Sequence, residues 1–363
     1  MSVNQSMATL SGDFLIAALM IYSASVIAFA GDFAFGRPRR AAAAKVVAAA
    51  DATAKERELA TVGGAAVAAV AAPEASAPDG AMPAGPGPAE PAAEPPGTAS
   101  RQGPLAAIGA AGGWVRAGVV LSALGAAAHL VAVVARGLAV HRAPWGNMYE
   151  FVTALTCVAA IFFLYVLIRY RAWALGVFVM GAVVLALGLA ETVIYTAAGP
   201  LVPALQSYWL SIHVTAMTLA TGIFFVAAVL GVMYLVAERF RARVAAGKAQ
   251  AGNGLIARIP SASQLDKLTY RTVIFGFPVW TFGVIAGAIW ADQAWGRYWG
   301  WDPVETWAFI TWVLYACYLH ARATAGWRGR RAHYIQLIGF ASLAANMLVV
   351  QVFITGMHSY AGV

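Results

Sequence analysis

Charged residues are scarce in this chain. Asp, Glu, Lys and Arg make up 11% of the 363 residues, against about a quarter in soluble domains, whereas hydrophobic residues reach 61%. A chain so poor in charge does not cover a soluble surface, which excludes an ordinary water-soluble globular protein. The net charge of +8 therefore indicates the basic loops of a membrane protein, and we expect no nucleic-acid partner.

Cysteine is nearly absent as well. The two cysteines, Cys157 and Cys317, lie far apart within apolar runs. Neither a CxxC pair nor the spacing of a disulfide framework is present. We therefore do not expect the chain itself to carry out thiol redox chemistry.

Long apolar runs are the main feature of the sequence. A membrane-spanning helix needs about 20 mainly apolar residues, and eight runs qualify: 13–32, 114–135, 150–168, 173–195, 211–236, 272–291, 304–320 and 333–355. The first run is followed, not preceded, by a basic cluster, which is the reverse of a secretory signal peptide. The sequence predicts an all-α integral membrane protein with about eight transmembrane helices.

Composition divides the chain into three parts. Residues 1–36 hold the first span, and residues 114–363 hold the other seven as one membrane domain. Ala, Pro and Gly dominate residues 37–113, where too few large apolar side chains are present to form a core. We predict that this middle part is a low-complexity cytoplasmic linker.

The basic residues predict the orientation. If the N-terminus is outside, 21 of the 24 Lys and Arg residues lie on the inner side. This agrees with the excess of Lys and Arg found in the cytoplasmic loops of membrane proteins. Both termini are then extracytoplasmic. We expect a multi-pass protein of the plasma membrane, with the aromatic loop described next on its outer face.

An aromatic loop follows the sixth span. Residues 292–307 read DQAWGRYWGWDPVETW, and seven of the twelve Trp lie between 280 and 312. Trp280, Trp290 and Trp312 fit the aromatic belt at a membrane interface. The belt explains less well the four aromatic residues packed into one short loop, Trp295, Tyr298, Trp299 and Trp301. We expect their flat rings to bind a large planar ligand. Asp302, Pro303 and Glu305 predict a capping box at the start of the seventh span.

Two histidines share the depth of this loop. His213 lies near the outer end of the fifth span, and His358 follows the eighth span within GMHSY. Neutral imidazole coordinates iron through one nitrogen while the other is oriented by a hydrogen bond. The two are candidate axial ligands of one planar metal cofactor. The alternative is that each simply faces the lipid headgroups.

The other four histidines lie elsewhere. His320 is about 24 Å deeper than the outer pair at 1.5 Å per residue, so it cannot share a small site with them, and it is either an interfacial residue or a functional one. We expect His129 to pack within the membrane, and His141 and His333 to be surface residues in or beside basic loops.

The residues around the aromatic loop resemble a known family. The stretch 295–303 (WGRYWGWDP), continuing through Glu305, Trp307, Trp312 and the LHAR of 319–322, is similar to the tryptophan-rich WWD signature of haem-handling proteins. Together with His213 and the C-terminal GMHSY, it resembles the CcsA/ResC type of system II cytochrome c biogenesis proteins, called CcsB in actinobacteria. The resemblance covers residues 114–363.

The resemblance implies ligands for haem b. It makes His213 and His358 the axial ligands of a haem on the outer face, and His320 a ligand of a second haem inside the membrane. The cofactor-binding residues implied within the aromatic loop and its helix are Trp295, Tyr298, Trp299, Trp301, Asp302 and Trp307. One departure is Val304, where the family commonly has Lys; Arg297 and Arg142 are alternative sources of that charge.

The resemblance also implies a function. The protein would deliver haem to the outer face and present it for thioether attachment to the CxxCH motif of apocytochrome c. Its partners would be a membrane protein of the Ccs1/ResB type, which supplies the other ligand of the internal haem, apocytochrome c, and a thioredoxin-like thiol reductant. We expect a subunit of a cytochrome c synthase complex that acts by positioning haem, with no catalytic residue of its own.

Three other classes remain as alternatives. A b-type membrane cytochrome would stack histidine pairs across a helix bundle. His320 and His333 are 13 positions apart, which suits a pair on one helix, but we expect Gly326, Gly329 and the basic stretch 328–331 to break the helix between them. A small-solute transporter would show inverted repeats or broken midplane helices, and neither feature is clear. A haem exporter like those of system I is the third. The GMHSY segment favours system II over it.

Overall fold

The computed structural model describes residues 3–36, 103–200, 206–248, 259–324 and 326–358. Helices make up the regular structure of these ranges, and no strand occurs within them. The α-helices are α1 (Gln5–Gly31), α2 (Pro104–Ala110), α3 (Gly113–Val140), α4 (Met148–Tyr170), α5 (Gly176–Val193), α6 (Tyr208–Ala245), α7 (Ala262–Trp295), α8 (Pro303–Ala323) and α9 (Arg330–Ala345). Helix α9 continues through a π-helical turn, Asn346–Val350, to Phe353.

Each of the eight predicted spans forms a helix. Seven of the described helices are long and apolar enough to cross a membrane. The eighth, α8, has 21 residues but is not among the seven, since Glu305, His320 and Arg322 lower its hydropathy. The prediction of an all-α, multi-pass membrane protein is confirmed. The orientation of the termini stays a prediction.

Side-chain caps fix where several helices begin. Asn147 accepts from the backbone N–H of Glu150 at the start of α4, and Ser261 forms a capping box with Gln264 at the start of α7. The capping box predicted at Asp302 is present, with Glu305 as its third helical residue. These caps satisfy backbone N–H groups that a helix leaves unpaired at its first turn.

The buried residues form two clusters that meet on α6. One joins α1, α3, α4 and α5 to α6 and the start of α7. The other joins α6, α7, α8 and α9. Glycine allows the closest helix contacts: a Cβ added to Gly125 on α3 would lie 2.6 Å from the ring of Tyr22 on α1. Large apolar side chains such as Met20 and Leu185 point outward, as expected of helices that face lipid.

The predicted linker lies almost entirely outside the described residues. Of its range, only residues 103–113 are described, and they hold the short helix α2 and the first residue of α3. Ala107 and Ala111 in this segment are buried. Residues 104–110 therefore form a helix within the range predicted as linker.

Candidate functional site: a cavity that joins two distant histidines

A cavity of about 200 Å³ lies among α6, α7, α8 and α9. Its wall is completed by residues 142–143, 145–148 and 151, before and in the first turn of α4, and by the tip of the aromatic loop. His213 and His358, 145 positions apart, both line it. The sequence placed these histidines at one depth, and the packing of the four helices places them at one cavity.

His213 is oriented by a backbone carbonyl. It lies in the second turn of α6, and its Nδ1 is 2.7 Å from the carbonyl oxygen of Gly283 on α7. Because a carbonyl oxygen only accepts, Nδ1 carries the hydrogen and Nε2 keeps its lone pair. The ring lies so close to α7 that a Cβ added to Gly287 would be 2.6 Å from its Nδ1 and Cε1.

His358 is oriented by a carboxylate. Its Nδ1 donates to Oδ2 of Asp302 at 2.8 Å, and the backbone N–H of Met357 donates to Oδ1 of the same residue at 2.6 Å. Asp302 thus caps α8 and also anchors the C-terminal segment. Nε2 of His358 again keeps its lone pair, so each histidine of the pair has one nitrogen available to a metal.

The carboxyl group of Asp302 is nearly enclosed, with 3% of its side chain exposed. Burial by itself disfavours its charge, but the hydrogen bond from His358 and the backbone N–H donors outweigh that effect. Together they hold the pKa of Asp302 below its usual value. The group is therefore an ionised acceptor for His358 at neutral pH.

Trp290 contacts both histidines. Its ring is nearly parallel to His213 at a centroid distance of 6.1 Å and meets His358 at 5.8 Å. The two imidazoles are therefore no farther apart than the sum of these distances. Trp295 lies 4.7 Å from Trp290 and 5.0 Å from His358, in edge-to-face contacts. Two indole rings thus contact His358.

The structure sorts the tryptophans differently from the sequence. Trp280 and Trp290, predicted to belong to the interfacial belt, are 3% and 2% exposed and line the cavity. The prediction of an interfacial position was therefore wrong for these two residues. The spacing of tryptophans along a sequence does not distinguish an indole that faces a cavity from one that faces lipid headgroups. Trp312, the third, donates its ring N–H to Thr281 and is not part of the wall.

The predicted residues of the aromatic loop divide into two groups. Trp295, Tyr298 and Trp299 line the cavity. Trp301 is exposed and meets Trp299 edge to face, and it is not part of the wall. Asp302 and Trp307 also lie outside the wall, with Asp302 acting through His358.

Glu305 holds the loop against the start of α8. It accepts the backbone N–H groups of Gly300 and Asp302 at 2.9 and 3.1 Å, and Arg297 lies 3.6 Å away. The Arg297 guanidinium covers Gly300, where any side chain would collide with it. Glu305 and Val304 line the cavity, and Arg297 does not.

A buried carboxylate with two arginines lies beside the cavity wall. Glu150, fully buried, accepts from Arg136 at 2.9 Å and from Arg142 at 2.7 Å. The same arginines donate to the backbone carbonyls of Thr196 and Gly199. Arg142 lines the cavity, so this cluster places one more positive than negative charge at its edge.

His320 does not join the outer pair. It lies in the last turn of α8, it is exposed, and it is not part of the cavity wall. Eighteen helical positions after Asp302 correspond to about 27 Å. Helix α8 ends at Ala323 and α9 begins at Arg330, so His320 and His333 are not on one helix.

The remaining histidines give mixed outcomes. His129 is fully buried and meets Tyr22 edge to face, in keeping with the packing role. His141 is exposed after α3. His333 was predicted at the surface, and that was wrong: it is fully buried and stacked on Tyr234 at 3.7 Å. The basic residues around it suggested a solvated loop, whereas it lies in the first turn of α9.

The chain is similar in sequence to proteins of a known family. Residues 145–358 match the family described as Cytochrome C assembly protein. The chain belongs to this family. Similar proteins named "Cytochrome c biogenesis protein CcsA" come from Heterosigma akashiwo (36% identity over 245 residues) and Guillardia theta (37% over 234). Each alignment covers 60% of this chain and 76% of the relative. The resemblance to CcsA-type proteins is confirmed.

One more relative and one solved structure are also similar to this chain. The CcsA protein of Parasynechococcus marenigrum is 34% identical over 238 residues, which cover 60% of this chain and 77% of that protein. The solved structure of "Cytochrome c Heme Lyase CcmF" aligns with a TM-score of 0.47 and 20% identity, over 68% of this chain and 43% of that one. That likeness is too low to support a statement about this member of the cytochrome c assembly family.

Proposed function

We propose that the protein takes part in cytochrome c maturation by holding haem in the cavity and presenting it to apocytochrome c. The observation that carries the proposal is the histidine pair. Two imidazoles from distant parts of the chain line one cavity, each with Nδ1 bound and Nε2 free. Family membership supports the same process.

The ligand set favours a metal that brings most of its own ligands. No group of three or more His, Cys, Asp or Glu suited to a metal ion occurs in the described residues. Two imidazoles alone are too few for a bare ion such as zinc, which needs four ligands. They are sufficient for an iron already held in the plane of a porphyrin.

The cavity wall suits the rest of a haem molecule. Trp280, Trp290, Trp295 and Trp299 offer flat apolar surface, on which a porphyrin ring is removed from water. Arg142 is our candidate for binding a propionate, because it lines the wall and Glu150 does not neutralise both arginines beside it. It would supply the charge that Lys supplies where this chain has Val304.

The protein's part in the reaction is positioning. The two thiols of a CxxCH segment would add across the two vinyl groups of the haem, each S–H hydrogen going to a vinyl carbon as the C–S bond forms. No nucleophile of this chain takes part. The chain orients the ring and keeps water from it, which converts the encounter into a reaction between aligned groups.

The proposed function also includes a membrane location, a second haem and two partners. The cavity lies on the extracytoplasmic face of the plasma membrane. His320, exposed on α8, is one ligand of a second haem b within the membrane, and a partner of the Ccs1/ResB type supplies the other. A thioredoxin-like reductant keeps the client thiols reduced. The complex acts as a cytochrome c synthase.

The experiment is reconstitution in a bacterium that lacks its own maturation proteins. The chain, a Ccs1/ResB-type partner and an apocytochrome c are produced together, and covalently bound haem is measured. We expect His213→Ala and His358→Ala to lose holocytochrome c and to regain it with added imidazole. His141→Asn is the matched control, because His141 is exposed and has a left-handed φ of 54° that asparagine tolerates. Normal assembly by both alanine variants without imidazole would refute the proposal.

A further inference from the structure

The two histidines of the cavity are not equivalent, because their Nδ1 hydrogens go to different acceptors. We propose that Asp302 is a positioning residue which makes His358 the stronger iron ligand, and that His213 is the ligand that the imidazole of the CxxCH segment displaces. This inference rests on the proposed function, since it concerns haem held by the same pair.

Asp302 holds His358 through two hydrogen bonds, one to its ring and one to the backbone next to it. Its Oδ2 accepts from the ring at 2.8 Å and its Oδ1 accepts from the backbone of the preceding residue at 2.6 Å. The carboxylate is itself fixed as the N-cap of α8. A Cβ added to Gly356 would lie 2.5 Å from Oδ1, so the glycine of GMHSY makes this close approach possible. The imidazole and its backbone are therefore held together against α8.

His213 has a weaker acceptor. The carbonyl oxygen of Gly283 carries no net charge, although its distance of 2.7 Å to Nδ1 is short. Besides this hydrogen bond, the ring is positioned by its close approach to Gly287 and by the nearly parallel ring of Trp290. The side chain of His213 is therefore well placed but receives no support from an anion.

The difference in acceptors changes the strength of the ligands. A hydrogen bond to a carboxylate is roughly twice as strong as one to a neutral acceptor, and it raises the basicity of the other ring nitrogen. Nε2 of His358 thus donates more electron density to the iron and stabilises the ferric state. When a client imidazole arrives, its nitrogen takes the position that Nε2 of His213 leaves. One iron–nitrogen bond forms, one breaks, and no electron is transferred.

The first experiment measures the midpoint potential and haem affinity of the purified complex with its partner. Asp302→Asn keeps an N-cap residue at the start of α8 but removes the charge from the acceptor of His358. We expect the potential to rise and haem affinity to fall about 10- to 100-fold, as for other partners of metal-binding histidines. An unchanged potential in a protein that still binds haem would overturn the inference.

A double-variant comparison separates this effect from a general disturbance. His213→Gly and His358→Gly are each combined with Asp302→Asn, and imidazole is added to complete the iron coordination. The rise in potential caused by Asp302→Asn should persist in the His213→Gly protein and vanish in the His358→Gly protein. Equal shifts in both backgrounds would overturn the inference, because Asp302 would then act without His358.

The second experiment identifies the displaced ligand. The probe is a synthetic AxxAH peptide, which carries the client histidine without its thiols. Wild-type protein with the peptide should match the potential and electron paramagnetic resonance of His213→Gly with the peptide. A match to His358→Gly would overturn the inference and leave the proposed function standing. Absence of haem from the wild-type complex would overturn both.

Discussion

Gly287→Ala tests the site without altering either histidine. The added methyl group would lie 2.6 Å from Nδ1 and Cε1 of His213, whereas non-bonded carbon atoms prefer about 3.5–4.0 Å. The imidazole must therefore retreat by about 1 Å. Gly287 and the carbonyl of Gly283 both belong to α7, so a ring that moves away from one also leaves the other. The hydrogen bond, 2.7 Å long, would approach about 3.5 Å, where it is no longer effective.

The effects on folding and on haem binding differ in size. Replacing a helical glycine by alanine stabilises a helix by about 1 kcal/mol, and overpacking costs about 1–3 kcal/mol. The free energy of unfolding should therefore fall by at most about 2 kcal/mol. Haem affinity depends on the orientation of Nε2 of His213 and should fall about 10- to 100-fold. Quenching of tryptophan fluorescence during a haem titration measures it, because Trp290 lies beside His213.

Gly188→Ala on α5 is the matched control. A Cβ at this position has nothing within 4 Å, so only the helix gain remains. We expect a rise in thermal stability equivalent to at most about 1 kcal/mol and unchanged haem affinity. A folded Gly287→Ala protein that binds haem as tightly as the control would refute the assigned orientation of His213.

Two further substitutions test the surroundings of the site. Glu150→Gln removes the charge of the buried carboxylate that two arginines share. The free energy of unfolding should fall by about 3–5 kcal/mol, because both positive charges stay buried. The control is Glu238→Gln, at a surface ion pair of 3.8 Å, which should change the free energy of unfolding by less than about 1 kcal/mol. A similar melting temperature for both would contradict the buried charge cluster. Gly356→Ala should weaken haem binding, because the added Cβ would lie 2.5 Å from Oδ1 of Asp302 and displace it. The same contact should lower the free energy of unfolding by about 1–3 kcal/mol. Unchanged haem affinity would contradict the role given to that contact.

Local features were the most predictable from sequence. The eight helices follow from apolar runs, and the cap formed by Asp302 and Glu305 follows from a four-residue pattern. The break between His320 and His333 follows from two glycines in a basic segment. These features depend on near neighbours in the chain, and hydropathy and capping rules describe such interactions well.

Contacts between helices were beyond the reach of sequence patterns. Trp290 was assigned to the interfacial belt because its spacing does not distinguish a headgroup from a cavity. The bonds from His358 to Asp302 and from His213 to Gly283 join residues 56 and 70 positions apart. Such pairs depend on how α6, α7 and α8 pack, and no local rule specifies that packing.

The most direct test is an experimentally determined structure of the complex with haem. We expect one haem iron between Nε2 of His213 and Nε2 of His358, the porphyrin against the indole wall, and Nδ1 of His358 still bonded to Asp302. A haem bound elsewhere, or an iron with neither imidazole as its ligand, would contradict it.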